Sequence, residues 1–425
     1  MKRQKKQYAE GKEETKVKHT KLTLLALSAS LLLGASAQAQ DSVFVGHLVD
    51  YTGPTAFVGK AYGPGVYDAI NYVNAHGGID GTQIELTQLD YAYKVPEALA
   101  AYKAWSSRDM VAMQGWGTAD TEALISFVAK DKIPVFSASY SAHLTDPQGT
   151  NPATQKPAPY NFFYGPSYSD TCRALAQWAA EDAKEKGIEN PTFLHAGDNH
   201  PYPNAPKEAC KAYAEELGMT VADPVVVPMA PGDFKAQCLT IKESGAQYVY
   251  LANLGGSVVA LLKSCGTVGV EANYMGNVWA GDYVTIEASQ AKNMIFPSST
   301  PFYGQDVPGM DLVTKIAESG EFADGGKPTH HYIRGICSAY YMMEAMAWAK
   351  ENGGITGENI KKGMYAKQDW VPEGLEGVCL PSTWTDTDHR GLMTVAINQG
   401  SYDGEVKIER INETTLPRRD DWLGL

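Results

Sequence analysis

Short apolar runs and amphipathic stretches alternate along most of the chain, and this rhythm constrains the fold more than any other feature. Runs such as 43–49 and 110–115 have the apolar content of strands, whereas 65–76 and 121–132 have the apolar spacing of helices. Strand, helix and strand in this order are typical of right-handed βαβ units, which build parallel sheets. The alternation therefore predicts an α/β fold.

The rhythm breaks at residues 146–160, where proline and polar residues predominate, and then resumes. The tail at 391–411 has the pattern of a β-hairpin. About 385 residues follow the first 39, more than one ordinary core uses, so we expect two domains. Ligands of open α/β sheets bind beyond the carboxyl ends of the strands, so two such domains facing each other would form a ligand cleft.

The first 39 residues have the three parts of a secretory signal. Basic residues at 16–21 precede an apolar run at 22–33, and small residues follow up to Ala39, after which we expect cleavage. A membrane anchor would need about 20 apolar residues, and the run at 22–33 is shorter than that. A lipid anchor would need a cysteine directly after the cleavage site, and the sequence has none there. The mature chain should therefore be soluble.

Acidic residues outnumber basic ones throughout the mature chain. The whole sequence has a net charge of −13, and without residues 1–39 it has 28 basic against 46 acidic residues. Such a surface repels nucleic acid and anionic lipid, so neither is expected as a partner. It does not attract an anionic solute from a distance either, and any bound anion needs local hydrogen-bond donors.

The six cysteines suggest disulfides, because an even count in an exported chain is typical of paired cysteines. No C-x-x-C pair and no Cys/His spacing typical of zinc occurs. Spacing alone does not fix the connectivity, and buried free thiols are the alternative. We predict sequential pairing: Cys172 with Cys210, Cys238 with Cys265, and Cys337 with Cys379.

Motifs for catalysis are absent from the sequence. No G-x-S-x-G elbow, H-E-x-x-H pair or phosphate-binding loop of the P-loop type occurs. His330 and His331 are adjacent, so on a helix they point apart and make a poor metal pair, and we interpret them as surface or turn residues. The sequence predicts a binding protein without metal or cofactor rather than an enzyme.

The stretch QGWGTADT, residues 114–121, joins a predicted strand to a predicted helix. A loop of this kind could hold a phosphate, carry out chemistry or grip the acidic end of a small molecule. Its glycines let the backbone approach a ligand, the helix N-terminus presents unpaired N–H groups, and Thr118 adds a hydroxyl donor. The alternative is that Thr118, like Ser139 in the next loop, only caps local structure.

Several longer stretches occur in the order of a known family. They include YTGPTAFVGKAYGPGVYDAINYVNAHGGIDGTQIEL, IPVFSASYSAHLT, FYGPSYSDTCRALAQW, DNHPYP, PGDFKAQCLTIKESGAQYVYLAN and DTDHRGLMTVAINQG. In this order the chain resembles the type I periplasmic solute-binding proteins, and most closely the branched-chain amino acid and amide receptors of ABC importers. The resemblance implies two doubly wound parallel-sheet lobes that are joined by three crossovers and close by a hinge motion. It places the lobes at 40–161 plus 291–370 and at 162–290 plus 371–425.

The resemblance also implies a ligand site at the lobe interface. The loop around Thr118 would take the ligand's carboxylate, with the SASYS loop supplying further donors. The implied residues are Trp116, Gly117, Thr118, Ser139, Tyr140 and Ser141 in the first lobe, and Tyr168, Tyr202, Asn253, Val278 and Trp279 in the second.

One position departs from the family's amino acid receptors. Val278 stands where those receptors have an acidic residue that pairs with the ligand's ammonium, and a buried ammonium without a carboxylate is costly. Asp282 could replace that residue only in a rearranged loop. Aromatic residues are frequent on the candidate cleft loops and favour a hydrophobic or aromatic organic acid, although each ring could instead pack the lobes. These residues are Phe57, Trp116, Tyr140, Tyr168, Tyr202 and Trp279.

The expected partners follow from the resemblance. We expect a periplasmic monomer that binds a small-molecule solute and delivers it to ABC permease subunits in the inner membrane. Two alternatives are a receptor for a branched-chain or other hydrophobic amino acid, and a ligand sensor that acts on a membrane kinase.

Overall fold

The computed structural model describes residues 41–425, and the predicted secretory signal at residues 1–39 lies outside the described residues. The first sheet uses β1 (Ser42–Val49), β2 (Gln83–Asp90), β3 (Met110–Gly115), β4 (Val135–Ser137) and β5 (Asn161–Phe162). These strands are all parallel, in the order β2-β1-β3-β4-β5. The connecting helices are α1 (Ala56–Ala75), α2 (Val95–Ser106) and α3 (Thr118–Asp131).

The second sheet is larger and mixed. Its strands are β6 (Thr192–Gly197), β7 (Thr220–Val221), β8 (Val225–Val226), β9 (Tyr248–Ala252), β10 (Asn273–Gly276), β11 (Met294–Ser298), β12 (Thr394–Tyr402) and β13 (Val406–Thr415). The order is β13-β12-β11-β10-β9-β6-β7, and β8 also pairs with β6. The strands β6 to β11 are parallel, whereas β12 and β13 form the predicted antiparallel hairpin.

Helices cover both sheets, which confirms the predicted α/β fold with two lobes. Those next to the second sheet are α4 (Tyr168–Glu185), α5 (Pro201–Asn204), α6 (Lys207–Glu216), α7 (Lys235–Ser244), α8 (Gly255–Val268) and α9 (Tyr283–Ser289). After β11 the chain returns to the first lobe with α10 (Met310–Ser319), α11 (His330–Glu351) and α12 (Gly357–Tyr365).

The helix α11 packs so closely on α1 that the two backbones touch. A Cβ atom added at Gly65 would meet the carbonyl of Tyr332, so this crossing requires glycine. His330 and His331 begin α11 and are both buried, so the interpretation as surface or turn residues is wrong. The reason is that α11 is enclosed by other elements over its first turns. Within residues 41–425, no helix has the length and apolar character needed to cross a membrane.

The predicted lobe boundaries at residues 291 and 371 stay a prediction, and the packing favours later crossings at both. The strand β11 pairs with β10 and β12, so we place the second crossing after Ser298. Trp384 packs in the core of the first lobe, so we place the third crossing at 385–393, before β12 begins.

Three disulfides connect the cysteines, and the predicted sequential pairing is confirmed. Their Cα atoms are 5.6, 4.9 and 5.7 Å apart, in the usual range for bonded cysteines. The first two bonds lie in the second lobe, and the third ties α11 to the segment that precedes β12. The pairs are Cys172–Cys210, Cys238–Cys265 and Cys337–Cys379.

Candidate ligand-binding site

A cavity lies where the strand ends of the two sheets face each other. Thr118 follows β3, Leu254 follows β9 and Trp279 follows β10, so both lobes contribute to it. Its volume is about 20 Å³, far below the ~300–1,000 Å³ of typical ligand pockets, so a solute would enter only when the lobes move apart. The lining residues are Thr55, Val58, Tyr93, Trp116, Gly117, Thr118, Ala138, Tyr168, Tyr202, Leu254 and Trp279.

Neutral polar groups lie at the end of β3, in a group that we name the Thr118 pole (Gly117, Thr118 and Ser139). Gly117 and Thr118 line the cavity, and Ser139 lies behind them. Thr118 begins α3, three residues before the predicted helix at 121–132, so its backbone N–H has no partner within the helix. Its Oγ1 accepts a hydrogen bond from Ser139 Oγ at 3.0 Å and can donate its own proton to Tyr168 Oη or to a ligand. The Gly117 N–H, in contrast, is engaged by Tyr91 Oη and by Asp120 Oδ2, both at 3.2 Å.

A buried carboxyl supports this loop from behind. Asp120 Oδ1 accepts a hydrogen bond from Tyr91 Oη at 2.8 Å, and burial raises the pKa of Asp120 to about 7. A Cβ atom at Gly117 would meet the Asp120 carboxyl, the Tyr93 ring and the Tyr91 hydroxyl, so this position requires glycine. Below pH 7 the Asp120 carboxyl behind the loop is therefore neutral and does not repel an anion bound in front of the loop.

Hydrogen bonds fix the aromatic wall on the first lobe. Trp116 Nε1 donates to Thr55 Oγ1 at 2.8 Å, and Thr55 Oγ1 donates in turn to Asp50 Oδ2 at 2.6 Å. Asp50 also accepts from the backbone N–H of Thr55 at 2.8 Å. The indole of Trp116 is therefore held in one orientation by the turn after β1.

The wall on the second lobe is fixed in the same way. Trp279 Nε1 donates to Tyr168 Oη at 3.0 Å, and Tyr168 Oη donates to the carbonyl of Ala138 at 3.2 Å across the cleft. Tyr202 and the side chain of Asn277 exchange hydrogen bonds of 3.0 and 2.7 Å. The rings thus form a preorganised apolar surface, and the lobes touch each other through it.

Half of the predicted site residues line the cavity, namely Trp116, Gly117, Thr118, Tyr168, Tyr202 and Trp279. Ser139 lies behind them as the partner of Thr118. Tyr140 is fully buried, with its ring 5.0 Å from that of Trp279.

The other predicted residues have local partners. Ser141 donates to Glu122 at 2.7 Å. The Asn253 amide donates to the carbonyl of Val227 at 2.8 Å. Phe57 lies at the rim, 36% exposed, and Val278 is buried, with its carbonyl turned to Arg334. None of these residues is among those that line the cavity.

Five lining residues were not among the predicted ones, and their sequence signals are weak. Thr55 belongs to the turn that fixes Trp116, and Val58 and Leu254 are apolar residues at helix starts. Tyr93 has φ of +58°, a left-handed conformation that its sequence context without glycine does not indicate. Ala138 could have been inferred, because it lies within the SASYS loop.

No lining residue carries an acidic side chain. Asp282 is buried and caps α9, where it accepts from the backbone N–H of Thr285 at 2.6 Å. It does not line the cavity and is not rearranged towards it. The described site therefore offers donors for an acidic group but no partner for an ammonium.

Two α/β lobes that meet around a small cavity of aromatic rings and neutral donors define a receptor for a small solute. The comparison with protein families agrees: the family described as periplasmic binding protein matches residues 42–405, and the chain belongs to this family. It is a family of solute-binding receptors and not of enzymes. The resemblance inferred from the sequence motifs is thereby confirmed.

Individual relatives are distant in sequence. An amino acid binding protein of Pseudomonas aeruginosa is 25% identical over 258 residues, which are 60% of this chain and 65%, slightly under two thirds, of that protein. An ABC transporter substrate-binding protein from Aeropyrum pernix is 26% identical, with a TM-score of 0.77 over 90% of this chain and 98% of that one. A branched-chain amino acid ABC transporter protein from Thermus thermophilus with bound valine shares the fold at 22% identity, with a TM-score of 0.78 over 88% and 96%.

Proposed function

We propose that this protein is the extracytoplasmic receptor of an ABC uptake system and captures a small carboxylate-bearing solute by closing its lobes. The family is periplasmic. Residues 1–39 would direct export, and the loaded monomer would deliver its solute to permease subunits in the inner membrane. The names of the relatives support this role, since they include an amino acid binding protein and ABC transporter substrate-binding proteins.

The Thr118 pole is the observation that carries the proposal. It presents a hydroxyl donor and a helix N-terminus to a small cavity between the lobes without any lining carboxylate. Hydrogen bonds to an ionised acceptor are about twice as strong as neutral ones, and the helix dipole adds to them. A carboxylate therefore suits this pole better than any other common group of a small solute.

The aromatic walls and the missing acidic residue favour a hydrophobic or aromatic organic acid over an α-amino acid. An amino acid would bring an ammonium into a cavity that offers it no carboxylate. The second candidate is a hydrophobic amino acid receptor, which the name of the Pseudomonas relative and the valine bound to the Thermus protein favour.

A thermal-shift screen distinguishes these candidates, because a ligand that binds only the folded chain raises its melting temperature. The panel contains leucine and valine, benzoate and 3-phenylpropionate, and the matched amides benzamide and 3-phenylpropanamide. We expect the two aromatic acids to raise the melting temperature and their amides to leave it unchanged. A shift with leucine or valine alone would support the amino acid receptor, and equal shifts with acids and amides would contradict a carboxylate site.

A further inference from the structure

A buried arginine lies on the far side of Trp279. Arg334, in α11, has no exposed surface, and it donates Nη1 to the carbonyl of Val278 and Nη2 to that of Pro297 at 3.5 Å. Its Nη1 also lies 3.3 Å from His331 Nδ1. Within residues 41–425, no carboxylate forms an ion pair with this guanidinium. A buried cation without a paired anion costs several kcal/mol of desolvation.

Buried polar atoms without partners occur in three side chains that lie around the Trp279 ring. Arg334 Nε, Tyr62 Oη and Tyr140 Oη are all buried, and none of them has a hydrogen-bond partner in the described chain. Burial of an unsatisfied donor is unfavourable, and three in one cluster are unusual. We name this cluster the Arg334 pole (Arg334, Tyr62 and Tyr140). It presents an N–H and two O–H groups that are suited to an anionic acceptor.

Trp279 separates the Arg334 pole from the cavity. Its ring lies 5.2 Å from Arg334 Cζ, 5.0 Å from the Tyr140 ring and 5.9 Å from the Tyr62 ring, while another part of it lines the cavity. One hydrogen bond, to Tyr168, holds the indole nitrogen. The indole of Trp279 is therefore the group that a solute would have to displace to reach the Arg334 pole from the cavity.

The neighbouring charges do not neutralise the pole directly. Asp282 lies beyond His331, with its Oδ2 3.7 Å from His331 Nε2, and its carboxylate is engaged by the first turn of α9. Burial lowers the pKa of His331, which keeps this imidazole neutral. Arg334 is thus the cation to which an anion entering past Trp279 would bind.

We propose that the Arg334 pole is a second anion-binding subsite, so that the preferred solute carries an acidic group at each end. This inference rests on the proposed function, since the first acidic group occupies the Thr118 pole. The aromatic walls between the poles would contact the apolar middle of the solute. The preferred solute is therefore a small dicarboxylate, aliphatic or aromatic. Its binding requires the Trp279 side chain to rotate away from the Arg334 pole.

Calorimetric titration of matched solutes tests the proposal. Each set contains a dicarboxylate, its monocarboxylate and an analogue with an ammonium group. The aliphatic set is adipate, hexanoate and 6-aminohexanoate, and the aromatic set is terephthalate, benzoate and 4-(aminomethyl)benzoate. Further dicarboxylates from succinate to sebacate, each compared with its monocarboxylate, extend the range of lengths. We expect at least one dicarboxylate to bind about 10- to 100-fold more tightly than its monocarboxylate, and the ammonium analogues to bind most weakly. Monocarboxylates that bind as tightly as dicarboxylates at every length would overturn the second subsite and leave the proposed function intact. If no carboxylate binds, the proposed function fails and this inference fails with it.

Single substitutions separate a binding role from a structural one. Tyr140→Phe removes a hydroxyl that has no partner in the protein, so folding should be retained while dicarboxylate affinity falls about 3- to 10-fold and monocarboxylate affinity is unchanged. Tyr274→Phe is the matched control, because its hydroxyl is also buried and unpartnered but lies on β10 in another part of the core. An unchanged ratio of dicarboxylate to monocarboxylate affinity in Tyr140→Phe would contradict the proposal.

The role of Arg334 is tested in the same way. Arg334→Gln should abolish the preference for dicarboxylates, whereas Arg334→Lys should retain part of it. If Arg334 only joins the lobes through the Val278 and Pro297 carbonyls, both variants will weaken all solutes by the same factor, and that result would refute the subsite.

Discussion

The Thr118 pole lies at the cleft cavity and the Arg334 pole lies behind Trp279, and the two poles differ in how their polar groups are satisfied. At the Thr118 pole, Ser139, Thr118 and Gly117 already have partners, and the nearby acid is Asp120. At the Arg334 pole, the Nε of a buried guanidinium and two phenol hydroxyls lack partners. The first pole is preorganised and neutral, whereas the second has polar groups whose burial becomes favourable only with a bound anion. The difference teaches that a ligand site can be recognised by paired donors as well as by unpaired ones.

The largest expected effect concerns the acid behind the Thr118 pole. Because burial raises the pKa of Asp120 to about 7, the folded chain holds a proton there between about pH 4 and 7 that the unfolded chain has released. The free energy of unfolding should therefore fall as the pH rises through this window, by on the order of 4 kcal/mol, and level off above it. In Asp120→Asn this contribution disappears.

Urea unfolding of both chains at several pH values from 4 to 8 measures this difference. Parallel stability curves for the wild type and Asp120→Asn would show that the acid is ionised in the folded state. The Thr118 pole would then not be neutral, and the contrast with the Arg334 pole would be broken on this side.

A second prediction concerns the affinity at the Thr118 pole. Thr118→Val should weaken binding of benzoate or any other bound carboxylate by ~1–3 kcal/mol, because a charged acceptor loses its hydroxyl donor. Thr121→Val is the matched control on the same helix, since the Thr121 hydroxyl is buried without a partner and does not line the cavity. Calorimetric affinities for the two variants decide the point, and equal losses in both would remove the role assigned to Thr118.

The smallest expected effect is on the stability of the ligand-free chain, and here the poles should respond in opposite directions. Tyr140→Phe removes an unsatisfied buried hydroxyl and should raise the free energy of unfolding by about 1 kcal/mol. Thr118→Val removes the acceptor of Ser139 and should lower it by about 1 kcal/mol. Denaturant melts without ligand measure both changes, and the same sign in both variants would show that the poles do not differ in this respect.

Much of the fold could be predicted because its signals are local. Strands such as β1 and β3 are short apolar runs, and helices such as α3 have regular apolar spacing, so the α/β fold and the hairpin of β12 and β13 were accessible from the sequence. The helix α3 was predicted from residue 121 and begins three residues earlier, at Thr118. The disulfide pairing was predicted by chain order alone, and the order proved correct.

The site was only partly accessible, because it depends on long-range packing. Thr118 stands in a recognisable strand–glycine–helix context, but Tyr93 enters the cavity through an unusual backbone conformation. Arg334 and His331 lie in an apolar helix far along the chain, and no spacing rule relates them to Trp279. Only the contacts of Arg334 with the carbonyls of Val278 and Pro297 bring the start of α11 against the segment that carries Trp279.

A crystal structure of the chain with the carboxylate that gives the largest melting shift tests the central claim most directly. We predict that the solute lies between the lobes against Trp116 and Trp279, with a carboxylate oxygen about 2.5–3.2 Å from Thr118 Oγ1. A solute bound outside the cleft, or bound within it with its carboxylate away from Thr118, would contradict the account.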